Sequence, residues 1–291
     1  MDGARGTLEA RFERRGRTTE LASLGWRPPL QALRVLYPRG HDRAAELVVT
    51  TLGPGLLGGD ATRVRVVLGP GAHARVTTTG ATRVMPARSG RPTIAAAELS
   101  VEAGGLLEWL PRPTIAQAGA AYRQTTRLEL APGAAALLAE VLVPGRLAAG
   151  ELFAFAELDV ALEVCRGDGA PLLTERLRLV PAERDPRALG WLPGANVVLA
   201  SLFVLAPGRD LDALADRIAA TLPGQAGVTA LPNGAGWLVR ALSRSATAAE
   251  SALGPALALA GEALTPDVTH RPDRASVGAW SGAGGRAPSV G

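Results

Sequence analysis

Two glutamates stand inside otherwise apolar stretches of this sequence, where a carboxylate needs a physical explanation. Glu108 is flanked by leucine and tryptophan, and Glu140 by alanine and valine. Leaving a carboxylate dry and unpaired in a protein interior costs several kcal/mol even after relaxation. Each side chain must therefore face solvent, pair with an arginine or line an internal wet passage. Arg112 and Arg146 lie nearby in sequence, so the ion-pair alternative stays open.

A glycine-rich segment, residues 53–60, has the glycine spacing of a phosphate-binding P-loop but lacks its chemistry. The motif requires a lysine followed by serine or threonine, and Gly59 and Asp60 occupy those two positions. The sequence contains no lysine, which also excludes Schiff-base chemistry. Gly58 and Gly59 then form either a partner-docking surface or a sharp turn that needs positive φ. Asp60 is expected to cap that turn through its carboxylate.

Nucleophilic and metal-binding residues are few and scattered. The three histidines, His41, His73 and His270, lie far apart, and no GxSxG or HExxH motif occurs. A hydrolase would need His41 or His73 in a site assembled in space, which remains an alternative. Cys165, the only cysteine, follows an alternating apolar run typical of a buried structural thiol. We expect a protein without catalytic residues and without a fixed metal site.

Composition narrows the class of protein further. The 31 basic side chains, all arginine, are interspersed with 27 acidic ones, and no basic stripe suits nucleic acid. The first residues lack the apolar core of a secretory signal, and the longest apolar stretch, residues 197–206, is about half of a membrane span. A single cysteine suits a reducing compartment. These features predict a cytoplasmic globular protein that binds neither membranes nor nucleic acid.

Short alternating segments between residues 47 and 179 predict the elements that position these side chains. Four of them end at glycine turns and are predicted strands: residues 62–66, 73–79, 98–102 and 127–130. Gly71, Gly104 and Gly133 recur at similar but unequal spacings, which favours stacked sheets built from similar hairpins rather than a sequence repeat. The fold class is therefore mainly β, a stacked-sheet, multi-strand scaffold.

The C-terminal third changes to helical periodicity. Apolar residues at helical spacing follow Asp210, a predicted N-cap, and a strand is predicted at residues 236–240. Thr247 and the glutamate three residues later predict a capping box for a second helix, which Pro255 is expected to kink or shorten. Residues 1–265 are a predicted single β-rich domain with two late helices, and residues 266–291 a predicted disordered tail.

Four segments, in order, resemble signatures of one family, the urease accessory proteins UreD (also called UreH). Residues 55–60 resemble its G-G-[LV]-x-G-G-D motif, and residues 77–84 resemble T-T-Q-A-A-T-K-V. Residues 107–115 are similar to L-E-W-L-P-Q-x-T-I, and residues 140–153 to E-x(4)-G-R-x(3)-G-E-x-F. The resemblance covers residues 47–180 and thins towards both ends. The last residues lack the aromatic P-R-I-W-like segment that the family often carries.

The resemblance implies a β-helical scaffold with two helices and a role in nickel insertion into apo-urease. It implies partners UreF, UreG and the apo-urease subunits, with GTP hydrolysis belonging to UreG. It also implies no tightly bound cofactor, and Ni²⁺ in transit through an internal path. A generic β-scaffold binding module without a nickel role is the alternative.

Eight residues follow from the family motifs and from the isolated carboxylates. The candidate nickel-path or family-motif residues are Asp60, Glu108, Glu140 and Glu151, and the candidate partner-interface residues are Gly58, Gly59, Trp109 and Arg146. Two of these assignments have structural alternatives. Trp109 fits a core position equally well, and Arg146 and Glu151 also suit a structural ion pair.

Overall fold

The chain folds into two stacked β-sheets with two helices. The structure, a computed structural model, describes residues 3–37, 44–87, 90–188, 194–224 and 226–265. The strands of these residues are β1 (Arg5–Arg15), β2 (Thr18–Arg27), β3 (Leu30–Leu36), β4 (Ala44–Thr51), β5 (Ala61–Leu68), β6 (His73–Thr78), β7 (Thr82–Val84), β8 (Thr93–Val101), β9 (Leu106–Leu110), β10 (Thr114–Ala116), β11 (Ala121–Leu130), β12 (Ala135–Val143), β13 (Glu157–Arg166), β14 (Pro171–Leu179), β15 (Val198–Leu205), β16 (Ala226–Ala230) and β17 (Gly236–Ser243). The helices are α1 (Asp212–Ala219) and α2 (Ala246–Leu264). The predicted fold class is confirmed.

From β4 to β13 the strands alternate between the two sheets, as in a β-solenoid, apart from the short strands β7 and β10. The first sheet has the order β14-β13-β11-β8-β5-β1-β2, and the second has β16-β17-β15-β12-β9-β6-β4-β3, with β7 and β10 attached at its side. In the middle of each sheet the neighbouring strands are parallel, as in β5, β8 and β11 or β6, β9 and β12. The resulting stack places a second-sheet strand directly after each of these first-sheet strands.

The predicted hairpins at the glycine turns are wrong. The turns at Gly71, Gly104 and Gly133, with φ between +63° and +74°, carry the chain from the first sheet to the second. Successive corners bond to one another, since the amide of Glu102 donates to the carbonyl of Leu68 at 2.9 Å. A glycine turn between two short strands has the same local pattern for a hairpin as for such a corner, and only the pairing of distant strands separates them.

Two apolar layers hold the scaffold together. The layer between the sheets contains fully buried Phe12, Leu47 and Leu68, and the layer between the second sheet and the helices contains Leu202 and Leu253. Each such side chain stabilises the fold by about 1.5–3 kcal/mol relative to an exposed one. Among the described residues, neither helix combines the length and the apolar character needed to cross a bilayer.

The two helices begin differently from the prediction. The predicted N-cap of α1, Asp210, is wrong, because Leu211 is the N-cap; Asp210 accepts a hydrogen bond from the amide of Asp212 at 3.0 Å, just before the helix. The capping box at Thr247 is wrong, because Ser245 is the N-cap of α2 and accepts from the amide of Ala248 at 3.2 Å. Thr247 therefore lies inside the helix.

Helix α2 also continues through Pro255, so the expected shortening is wrong. Proline removes one helical hydrogen bond and costs about 3 kcal/mol in a helix interior. The buried side chains of Leu253, Ala256, Ala260 and Leu264, on either side of the proline, pack against the second sheet and offset that cost. The strand predicted at residues 236–240 is confirmed as β17. The predicted tail, residues 266–291, lies outside the described residues, as do His41 and His270.

Candidate functional site

A cavity of about 140 Å³ lies between the inner faces of the two sheets. Strand β12 points Leu138 and Glu140 towards it, because residues two apart on a strand share a face. Its lining also includes Gln124 of β11 and Glu175 of β14. A cavity of this size has room for several water molecules. Cavities that stay dry are wholly apolar, and the carboxylates, amide and guanidinium among the largely apolar side chains of this lining give water hydrogen-bond partners.

A chain of hydrogen bonds from the first sheet reaches Glu140. The hydroxyl of buried Tyr122 donates to Oε1 of Gln124 at 2.9 Å, and Nε2 of Gln124 donates to Oε1 of Glu140 at 3.0 Å. Tyr122 and Gln124 lie two residues apart on β11 and so face the same side of its sheet. The amide thereby connects the carboxylate of the second sheet with the first sheet.

A second polar group lies beside Glu140 in the same cavity. Glu140, Ser201 and Arg240 are direct neighbours across β12, β15 and β17. Arg240 forms an ion pair with Glu175, which reaches it from the first sheet, and its Nε donates to Oγ of Ser201 at 3.2 Å. Each sheet thus contributes one carboxylate to the lining.

The environment of Glu140 favours its protonated form. Burial raises the pKa of the Glu140 carboxyl, and the negative charge of Glu175 raises it further. The positive charge of Arg240 and the hydrogen bond from Gln124 act in the opposite direction and only partly compensate. The net result is a pKa of about 7 for Glu140. Near neutral pH this side chain can therefore gain or lose a proton readily.

Glu108 lies outside the cavity, in a closed ionic cluster. Its Oε1 is 2.8 Å from Nε2 of His73, and its Oε2 accepts from Nε and Nη2 of Arg75 at 2.9 and 2.6 Å. Burial alone would raise the pKa of Glu108, but the hydrogen bond from His73 and the charge of Arg75 outweigh it and lower the pKa to about 2. The ion-pair alternative is confirmed, although Arg112 is not the partner. Arg112 pairs with Glu250 of α2 at 3.0 Å.

Asp60 braces the glycine turn. Its Oδ1 accepts from the amide of Ala4 at 2.7 Å, and its Oδ2 accepts from the amide of Leu57 at 2.8 Å. The expectation that Asp60 caps the turn is therefore confirmed. These bonds also tie the segment before β1 to the turn before β5. Asp60 is not part of the cavity lining.

The two glycines before Asp60 allow close packing. Gly59 has φ of +92°, and its amide donates to the carbonyl of Pro92 at 3.2 Å. A Cβ on Gly58 would lie 2.6 Å from Cα of Ala87, so a side chain there would displace the backbone. The sharp-turn interpretation is confirmed for Gly59, and a docking role for both glycines stays a prediction.

Arg146 and Glu151 form an ion pair, as the structural alternative stated. The backbone amide of Arg146 also donates to Oε2 of Glu151 at 3.3 Å, and the guanidinium lowers the pKa of this carboxyl. Arg146 is thus not available to Glu140. Trp109 is partly buried, packs against the core between the sheets and lines the cavity. Its predicted role in a partner interface remains a prediction.

The remaining sequence candidates stay structural. Cys165 is half-buried with Sγ 3.7 Å from the carbonyl oxygen of Leu128. Burial raises the pKa of its thiol, with further increases from Glu129, Asp168 and Glu163. A reactive thiolate at Cys165 is therefore disfavoured. Within the described ranges, no three His, Cys, Asp or Glu side chains converge as a metal site.

Sequence reasoning missed Gln124, Glu175 and Arg240 of the cavity lining, and Ser201, which contacts Arg240. Arg240 carries the signal that singled out Glu140, since it is a charged residue flanked by valine and alanine. Glu175 lies between Thr174 and Arg176, and a run of three polar residues equally suits a solvated strand face. Polar Gln124 and Ser201 have no distinguishing pattern.

Comparison with known proteins shows which family this chain matches. The model of the family described as "UreD urease accessory protein" matches residues 4–276. The chain is 37% identical over 256 residues to the urease accessory protein UreD of Haloarcula marismortui, which covers 86% of this chain and 84% of that protein. It is 38% identical over 239 residues to the corresponding protein of an Anaeromyxobacter species, with 80% and 78% covered. It is 34% identical over 245 residues to urease accessory protein UreD 2 of Streptomyces griseus, with 82% and 83% covered.

Proposed function

Because the chain belongs to the UreD family of urease accessory proteins, we propose that it is a non-catalytic scaffold that gives Ni²⁺ an internal path towards apo-urease. The path runs through the cavity between the sheets. In this proposal UreF and UreG form the nickel-bearing complex on one side and apo-urease receives the ion on the other. GTP hydrolysis belongs to UreG, and the complex works in the cytoplasm.

The observation that carries the proposal is the pair of carboxylates in the cavity lining. Glu140 and Glu175 come from different sheets and line the same cavity. Nickel accepts oxygen ligands, so a partly hydrated ion can exchange water for either carboxylate. Two carboxylates are fewer ligands than a closed structural site provides. Such a lining suits an ion that must move on.

Glu140→Gln tests the path directly, because glutamine keeps the shape and removes the charge. Apo-urease activated with this variant is expected to contain less nickel per active site, while co-purification with UreF and apo-urease persists. Glu163→Gln is the matched control. Glu163 is an exposed carboxylate that pairs with Arg127 at 2.8 Å on the first sheet and is not part of the cavity lining.

Metal analysis of purified urease and pull-down of the complex give the two readouts. Normal nickel content with Glu140→Gln would contradict the proposed path. A loss of nickel that accompanies a loss of complex would assign Glu140 a structural role and favour a binding module without a nickel role.

A further inference from the structure

The cavity lining includes a positively charged side chain, Arg240, which affects any metal ion on the proposed path. Arg240 and Glu140 lie in the same sheet, on strands β17 and β12, with β15 between them. The guanidinium of Arg240 nevertheless pairs with Glu175 of the facing sheet. Ser201, on the strand between, accepts from Nε of Arg240 at 3.2 Å and helps to orient the guanidinium towards Glu175. The other arginine of the lining, Arg112, pairs with Glu250 of α2. Arg240 is therefore the arginine that pairs with a carboxylate of the cavity itself.

This arrangement has a direct consequence for a divalent ion. An ion that approaches Glu175 must compete with a guanidinium already bonded to the same carboxylate, and it also meets the positive charge of Arg240. Glu140 has a different partner, since its Oε1 accepts from the neutral amide of Gln124. Glu140 can thus bind a cation once it releases its proton, whereas Glu175 is occupied by an internal counter-ion.

We propose that Arg240 is a positioning residue that competes with the passing metal ion for Glu175 and so promotes release of the ion. The inference rests on the proposed nickel path. Without a competing charge, Glu140 and Glu175 would hold a divalent ion jointly. With Arg240 present, binding to Glu175 is exchanged for the ion pair, which re-forms behind the departing ion.

Electrostatics sets the size of the effect. A unit charge within several Å of the metal opposes its binding by more than a factor of ten at the effective dielectric of a protein interior. Arg240→Gln is therefore expected to bind Ni²⁺ at least about tenfold more tightly than the wild-type chain. It is also expected to deliver less nickel to apo-urease, because release becomes slower. Arg240→Lys keeps the positive charge and is therefore expected to bind Ni²⁺ about as weakly as the wild type.

Equilibrium dialysis of the full chain against NiCl₂ measures the affinity, and nickel content of urease activated in the complete complex measures delivery. Arg127→Gln is the matched control, because Arg127 pairs with Glu163 on the exposed face of the first sheet and is not part of the cavity lining. It should change neither quantity. Thermal unfolding establishes that each variant is folded, and Arg240→Met replaces Arg240→Gln if the glutamine variant does not fold.

A double-mutant cycle separates this role from a purely structural one. If Arg240 acts through Glu175, the gain in affinity from Arg240→Gln should be markedly smaller when Glu175→Gln is also present, and an unchanged gain would contradict that role. Equal Ni²⁺ affinity of the wild type and a folded Arg240→Gln or Arg240→Met variant would overturn the inference, as would tighter binding by Arg240→Lys. If those results occur and Glu140→Gln still reduces the delivery of nickel to apo-urease, the path itself remains supported. Normal delivery with Glu140→Gln would instead contradict the path.

Discussion

Glu140 should make the stability of this protein depend on pH in a way that one substitution removes. In Glu140→Gln the side chain keeps its shape and can still accept from Nε2 of Gln124, but it carries no titrating proton. Any part of the pH profile that belongs to Glu140 is then absent from the variant. The comparison uses nickel-free protein, so that metal binding does not contribute.

The expected magnitude follows from the difference between folded and unfolded chains. The Glu140 carboxyl has a pKa of about 7 in the folded protein against 4.5 for an ordinary glutamate. At about 1.4 kcal/mol for each pH unit of that difference, the linkage amounts to about 3 kcal/mol. Between these two values the folded protein holds a proton that the unfolded chain has released. The wild-type free energy of unfolding therefore falls as the pH rises from about 4.5 through about 7.

Urea denaturation followed by circular dichroism at several pH values between 5 and 8.5 measures the effect. Glu140→Gln is expected to gain stability relative to the wild type with rising pH, by up to about 3 kcal/mol. Glu163→Gln, whose carboxylate is exposed and paired with Arg127, should follow the wild-type profile. Parallel profiles for Glu140→Gln and the wild type would refute the argument that Glu140 is held protonated by burial and by the charge of Glu175.

Three further changes test other parts of the structure. Glu108→Gln should lower the free energy of unfolding at pH 7 by about 3 kcal/mol, because it breaks a buried ion pair. That loss of stability should shrink as the pH falls from 4.5 towards 2, because the wild-type carboxyl becomes protonated in this range. An unchanged urea midpoint of Glu108→Gln at pH 7 would contradict the predicted loss. Ser245→Ala should cost about 1 kcal/mol and Thr247→Ala much less, since only Ser245 caps α2; equal thermal shifts would disprove this assignment of the cap. Replacing exposed Leu24 and Trp26 on edge strand β2 with serine should raise the soluble yield of the chain expressed alone, as co-expression of UreF should for the wild type; equal yields would count against a partner-covered surface.

Local pattern located several of the elements and the loop chemistry. Period-2 alternation located β5, β6, β8 and β11, and the missing lysine excluded a P-loop without any structure. The turn role of Asp60 also followed from its residue type. The topology did not follow, because glycine turns permit both hairpins and corners between sheets. Only the parallel pairing of distant strands decided that these turns are corners.

The two isolated glutamates show most clearly what the sequence alone does not determine. Both are charged residues within apolar strands, so pattern alone established that each needs an internal partner or water. Strands β9 and β12 pair in register, with Glu108 opposite Leu137 and Trp109 opposite Leu138. Paired residues share a face, so Trp109, Leu138 and Glu140 point into the cavity, while Glu108 points to the opposite face of the sheet. The register between β9 and β12 therefore decides which carboxylate lines the cavity. These strands lie about thirty residues apart in the chain, so their register is a property of the folded chain alone.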